Sequence, residues 1–306
     1  MTTVLILAVT VAVAQPEKVT FLQIPGGQQL AVWPIPGRIS GLFSAPDGAV
    51  WVPLKDQERT VILRLGFPAE MVEGRYVPLF FREGDRFYAL FPQELVMLAN
   101  PERVVIDRWP LPPLPGIRFA NCSPDGRVVA LLTSETPPRI RLVYPFLGGT
   151  TAVQAVPEGW APFKFALGSS DLAVAGKTAV AVSHLGGNGF SLGQVPGEVV
   201  DLVFSSDEKD LYVLTASPAS KLFRLPIPKK IKGSLSVKAV WQGKGQPKAM
   251  AWCQEGVLVL ESGNLHLVWR RGKAVYSQAL EEGTALAVLR EESTSSVPRW
   301  SDAVHW

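Results

Sequence analysis

The sequence predicts an all-β fold, a seven-bladed β-propeller closed by its own N- and C-terminal strands, and three observations carry that prediction. First, apolar strand pairs turn repeatedly at one polar corner. The best copy is Ser123-Pro124-Asp125-Gly126 before Arg127-Val128-Val129-Ala130-Leu131-Leu132, and others are Ala45-Pro46-Asp47-Gly48, Ser205-Ser206-Asp207-Glu208 and Glu255-Gly256, with weaker ones at Gly84-Asp85 and Asp171. Second, the acidic residues of these corners stand at 47, 85, 125, 171, 207 and 255, so the gaps are 38, 40, 46, 36 and 48 residues. They average near 42, the period of one four-stranded blade. Third, the strands are rich in Val, Leu, Phe and Trp, and helical i, i+4 stripes with charged opposite faces are absent.

The corner has a physical logic. Proline presets φ for the turn, aspartate caps nearby backbone N–H groups, and glycine tolerates positive φ. Blade 1 opens with Ile39 to Phe43, Val50 to Leu54 and Val61 to Leu65, and blade 2 takes Tyr76 to Phe81, Phe87 to Phe91, Leu95 to Ala99 and Val104 to Trp109. Blade 3 runs from Ile117 through Val128 to Leu132 and Ile140 to Tyr144; blade 4 runs from Phe163 through Leu172 to Ala175 and Ala179 to Ser183. Blade 5 takes Val199 to Phe204, Leu211 to Thr215 and Leu222 to Leu225, and blade 6 takes Ala249 to Trp252, Val257 to Leu260, Leu265 to Trp269 and Ala274 to Gln278. Left over are Val19 to Ile24 and Leu30 to Ile35 near the start and Ala285 to Leu289 near the end. Unpaired edges invite aggregation, so joining these remnants into a seventh blade is the economical solution, with six blades or a sandwich as the competing count.

Length alone allows two domains, but no composition break divides the 306 residues, and with only 19% of them charged the chain is not disordered. The first fourteen residues carry no charge and lead into Ala12-Val13-Ala14-Gln15, an A-x-A site. Residues 1–14 read as a secretory signal peptide, giving a single propeller domain at 15–290, a tail at 291–306 and a secreted or periplasmic location. The competing reading of this run is a β-branched strand retained in the fold. The run is too short to span a bilayer as a helix.

The corner pattern resembles the WD40-like propellers of the TolB and YVTN-repeat type, whose blades carry an S-P-D-G-x-x-L/V corner. Ser123 to Leu132 match it in full, whereas Ala45 to Val52 and Ser205 to Leu214 match in part; the Gly-His and Trp-Asp pairs of true WD40 repeats are missing. The resemblance implies a rigid binding platform more often than a catalyst, and fold alone does not fix function.

Few residues point to catalysis. Cys122 and Cys253 fall about three blades apart, beyond disulfide reach, and read as free apolar filler. His184, His266 and His305 stand in no metal-ligand spacing, the Gly186-Gly187-Asn188-Gly189 run lacks the Gly-Lys-Ser/Thr ending of a phosphate loop, and no nucleophile elbow or zinc helix is present. No cofactor and no metal are expected. Asp47, Asp125 and Asp207 could converge on a channel mouth as in propeller hydrolases of lactonase or lyase type, but each has a turn to cap.

Charge is more informative. No Asp or Glu occurs from Leu211 to Gln254, while Lys221, Arg224, Lys229, Lys230, Lys232, Lys238, Lys244 and Lys248 give that span +8; the whole chain carries +3, so the remainder carries −5. Lys229, Lys230, Lys232, Lys238, Lys244 and Lys248 are therefore candidate binding residues for an acidic protein or an anionic cell-surface polymer, through contacts that weaken as salt rises. Nucleic acid is not expected, since aromatic residues do not interleave with these lysines. Trp109 to Pro115 reads as a polyproline connection between blades. In the tail, Trp300 and Trp306 either fold back or offer a docking peptide. The function expected from sequence is a non-enzymatic exported scaffold that binds another macromolecule.

Overall fold

The computed structural model describes residues 9–55, 57–74, 76–80, 85–100, 102–216, 218–253, 256–269, 274–280 and 283–291. The chain opens on three strands, β1 (Val9–Gln15), β2 (Lys18–Ile24) and β3 (Gln28–Pro34). Blade 1 is β4 (Phe43–Ser44), β5 (Val50–Pro53), β6 (Arg59–Leu63) and β7 (Glu70–Glu73). Blade 2 is β8 (Val77–Phe80), β9 (Arg86–Leu90), β10 (Glu94–Ala99) and β11 (Val105–Pro110). Blade 3 is β12 (Ile117–Cys122), β13 (Val129–Thr133), β14 (Ile140–Tyr144) and β15 (Thr150–Gln154). Blade 4 is β16 (Lys164–Leu167), β17 (Asp171–Ala175), β18 (Ala179–His184) and β19 (Ser191–Gln194). Blade 5 is β20 (Glu198–Phe204), β21 (Asp210–Ala216), β22 (Ser220–Pro226) and, after the short β23 (Gly233–Ser234), β24 (Lys238–Gln242). Blade 6 is β25 (Pro247–Cys253), β26 (Gly256–Glu261), β27 (Asn264–Trp269) and β28 (Ala274–Ala279). Finally β29 (Ala285–Glu291) returns to β1, and blade 7 reads β29-β1-β2-β3.

Seven antiparallel meanders result, so the count is seven rather than six. The inner strands β4, β8, β12, β16, β20, β25 and β29 touch in succession, and β29 touches β4, which closes the ring. Among the described residues there is no α-helix, and one 3-10 turn, Pro145–Leu147, interrupts the strands.

Burial follows radial position. Middle strands such as β13 and β26 are buried throughout, whereas the outer strands β7, β11 and β15 are largely exposed. The core is a set of layers between neighbouring blades: Phe43, Trp51, Phe80 and Phe87 join blades 1 and 2, and Tyr212, Val213, Met250 and Trp252 join blades 5 and 6.

Residues 9–14, which the sequence places within a leader, form most of β1. Val9, Val11 and Val13 pack toward blade 6, while Ala12 and Ala14 pack toward blade 1. A strand buried on both faces reads as an unbroken apolar run, and that is also the pattern of a leader's apolar region. Residues 1–8 and the tail 292–306 lie outside the described residues.

The polar corners are as the turn chemistry requires. Asp125 Oδ1 accepts from Ser123 Oγ at 2.6 Å and from Arg127 N–H at 3.1 Å, and Ser123 Oγ accepts from Val128 N–H at 3.0 Å. Asp207 and Ser205 repeat the arrangement, and Asp47 Oδ1 takes Ala49 N–H at 3.1 Å. The fourth corner position is left-handed in all three: φ is 78° at Gly48, 71° at Gly126 and 54° at Glu208. The Glu255-Gly256 and Gly84-Asp85 corners lie partly outside the described residues.

Candidate functional site

The meander order gives the ring two unlike faces. Inner strands begin at an upper face, shared by the hairpins between second and third strands and by the links from one blade to the next. They end at a corner face, which carries the polar corners and the third-to-fourth strand connections.

On the upper face, blades 1, 2 and 3 line an open cavity of about 620 Å³. Blade 1 contributes Pro53 and Glu58, the link into blade 2 contributes Gly74, Tyr76 and Val77, the β9–β10 hairpin contributes Leu90, Phe91 and Pro92, and the link into blade 3 contributes Leu114, Gly116 and Ile117. A second hollow of about 540 Å³ shares Phe91 and Pro92 and continues outward past Gln93, Glu94, Arg108 and Pro110. An aromatic cluster adjoins the cavity: Tyr76 lies 5.3 Å from Phe91 and 6.1 Å from Trp51, and Trp51 meets Phe80 and Phe87 edge-on at 5.7 and 5.1 Å. Burial pushes the Tyr76 hydroxyl up to about 12, with Arg103 opposing and Glu70 adding to the shift, so the ring stays neutral at physiological pH. An apolar, proline-edged cavity of this size fits a side chain or short extended segment better than a strongly charged group.

The sequence-predicted residues distribute as follows. Lys229, Lys230, Lys232, Lys238, Lys244 and Lys248 are all exposed. They do not form one patch. Lys229, Lys230 and Lys232 lie on the β22–β24 connection at the corner face, Lys238 lies on the outer strand β24, Lys244 lies on the link into blade 6, and Lys248 lies at the β-bulge that opens β25, the last two at the upper end. The first group is held in place: β23 pairs in parallel with β19 of blade 4, Leu235 N–H donates to Leu192 C=O at 2.7 Å, and Ile227, Ile231 and Val237 pack on the core. Trp300 and Trp306 lie outside the described residues.

Asp47, Asp125 and Asp207 sit at the corner face, capping turns and pairing with Arg64, Arg127 and Lys209. Cys122 and Cys253 are buried and neither is in a disulfide. Among the described residues no group of three or more His, Cys, Asp or Glu side chains could hold a metal ion. His184 pairs with Asp171 across β17 and β18 at 2.6 Å. Trp109 to Pro115 bridges β11 and β12, and Leu114 from this run lines the cavity.

Sequence reasoning missed the cavity, although Phe91-Pro92 in a hairpin and Leu114 within the proline run were the available signals. It also missed a buried ion pair at the hub. Asp201 on β20, fully buried, pairs with Lys164 of β16 at 2.9 Å and accepts from Met250 N–H of β25 at 2.9 Å. The contacts of Asp201 span three blades, so no local pattern announces them.

No protein-family model matches the chain, and no curated protein matches it either. Solved structures do. A functionally unknown protein from Desulfotomaculum acetoxidans DSM 771 matches with a TM-score of 0.70 and 15% identity over 92% of this chain and 99% of its own. Apo AztD from Citrobacter koseri matches with a TM-score of 0.65 and 13% identity over 92% of this chain and 98% of its own. The Myceliophteria thermophila Cps50 (Swd1) β-propeller domain matches with a TM-score of 0.63 and 11% identity over 87% of this chain and 97% of its own. At such identities the likeness shows the fold alone: this chain is a seven-bladed β-propeller.

Proposed function

We propose that this propeller is a recognition module that seats an extended apolar segment of a partner protein in the upper-face cavity of blades 1 to 3. The observation that carries the reading is that cavity: about 620 Å³, flanked by packed aromatic rings and edged by Pro53 and Pro92. Packed aromatics lose little conformational freedom on binding, and they supply most of the affinity in interfaces of this kind. The outward hollow past Gln93, Glu94 and Arg108 provides polar groups for the partner's backbone. The test is selection of peptides from a random library on the immobilised protein, followed by titration against a Phe91→Asp variant. Selected peptides rich in aromatic residues or proline, weakened at least about thirty-fold by the substitution, support the reading. Peptides that bind the variant equally well overturn it.

A second reading has its own support. Lys229, Lys230 and Lys232 are exposed on a connection pinned to blade 4, inside a span without acidic residues. A fixed cluster of cations suits an anionic cell-surface polymer, and reversing the three charges then flattens the salt dependence of binding to such a polymer. Membership of the TolB and YVTN-repeat type belongs to the same proposal, supported by the full corner at Ser123 to Leu132. Export belongs to it as well, with β1 retained in the ring rather than removed after Ala14.

A further inference from the structure

Blade 6 carries a serine, a histidine and a glutamate on three adjacent strands. Ser277 on β28 stands directly opposite His266 on β27, with its Oγ 2.8 Å from His266 Nδ1. His266 Nε2 lies 3.1 Å from Oε2 of Glu261, at the end of β26. Exposure falls along the row: Ser277 is exposed, the His266 side chain is 14% exposed and the Glu261 side chain 1%. Glu261 Oε2 also accepts from Gly245 N–H at 3.1 Å, and its buried Oε1 has no hydrogen-bond partner. The carboxylate fits because Gly243 and Gly245 leave room; a Cβ at either would collide with it. Trp241 of β24 packs on the imidazole at 5.1 Å.

From this geometry we propose that Ser277 is an activated nucleophile for small, unhindered acyl donors, with His266 as its general base and Glu261 as the positioning residue. An ionised carboxylate only accepts hydrogen bonds, so Nε2 carries the imidazole proton and Nδ1 is left to accept from the serine. Nucleophile, base and orienting acid are then in the order that acyl transfer requires. Ser277 Oγ attacks the carbonyl carbon of an activated ester while its proton moves to Nδ1. The bond to the leaving oxygen breaks, and that oxygen takes the proton from Nδ1. Water then attacks the acyl-serine and gives its proton to Nδ1; the acyl–Oγ bond breaks, Oγ takes that proton, and the carboxylic acid leaves with Ser277 and neutral His266 restored. The serine is itself exposed on an outer strand, so the substrate class is small esters rather than chains that need a deep cleft.

The test treats the full chain with a fluorophosphonate probe and with p-nitrophenyl acetate, followed by mass spectrometry and peptide mapping. A single adduct on Ser277 is expected, absent in Ser277→Ala and slowed on the order of 100-fold in His266→Gln. Free imidazole restores labelling in His266→Gly, a rescue that a purely structural histidine would not show. Glu261→Gln, which keeps the shape and loses the charge, slows acylation without lowering the melting temperature. Adducts spread over other serines, no adduct at all, or wild-type labelling in His266→Gln overturn the assignment. Ser277→Ala alters only an exposed side chain, so its result does not depend on the fold surviving a core change.

Discussion

Replacing Asp201 with alanine tests how the hub is held. The β-bulge at Val200 sets Asp201 where its carboxylate meets Leu202 N–H at 2.7 Å, Lys164 Nζ at 2.9 Å and Met250 N–H at 2.9 Å, joining the inner strands of blades 4, 5 and 6. Alanine leaves the Lys164 ammonium, whose side chain is 14% exposed, without this carboxylate. Removing one member of a buried ion pair costs about 3 to 5 kcal/mol, and the bond from Met250 N–H is lost with it, so a loss of about 4 kcal/mol is expected. In a chain of this size that lowers the melting temperature by roughly 10 °C. Burial is the main influence on Lys164 and lowers its pKa, with the attraction and hydrogen bond of Asp201 opposing, so the charge there depends on its partner. Lys164→Met in the Asp201→Ala background removes the buried charge and recovers at least about half of the loss. Urea and thermal unfolding of the single and double variants give the measurement. A single-variant loss below about 1 kcal/mol, or a double variant no more stable than the single, refutes the reasoning.

Other expectations follow from the same structure. Deleting residues 1–14 removes all of β1 but Gln15, and burial of Val9, Val11 and Val13 alone is worth about 5 kcal/mol or more, so the shortened chain loses cooperative unfolding by circular dichroism. Gly126→Ala forces a side chain into φ 71° and costs roughly 1 kcal/mol in urea titration. Glu208→Ala keeps the positive φ of 54° but loses the bonds to Ser169 N–H and Oγ at 2.9 and 2.7 Å, and lowers stability by about 1 to 2 kcal/mol. Tyr76, held at about 12 against 10.0 in the unfolded chain, contributes stability that is complete below pH 10 and lost as pH rises toward 12. Tyr76→Phe therefore makes the alkaline fall in melting temperature shallower.

The ring was legible in the sequence because its inner and middle strands are buried on both faces and its corners use a fixed turn chemistry. The inner and middle strands of blades 2 and 6 were readable for that reason, and their outer strands were read as well although β11 is largely exposed. The outer strands β7, β15, β19 and β24 were not: Glu70–Glu73 and Thr150–Gln154 are mostly exposed, so burial imposes no apolar pattern on them. The strand β1 was apolar enough to be seen, but a strand enclosed between blades 6 and 1 has the composition of a leader. Lys229, Lys230 and Lys232 were legible as exposed cations, yet their separation from Lys244 and Lys248 depends on which connection lies at which face. The cavity, the Lys164–Asp201 pair and the Glu261–His266–Ser277 row all join residues through sheet register or across blades, and spacing along the chain does not encode that.

Ring closure is the physical basis of every site described above, and hydrogen exchange of residues 9–15 in the full chain tests it most directly. Strand β1 is paired on both edges, with β2 and with β29. Its amides should exchange as slowly as those of β2 and only through global unfolding. Exchange within seconds across Val9–Gln15, while β2 and β26 remain protected, would contradict a ring sealed by β29-β1-β2-β3.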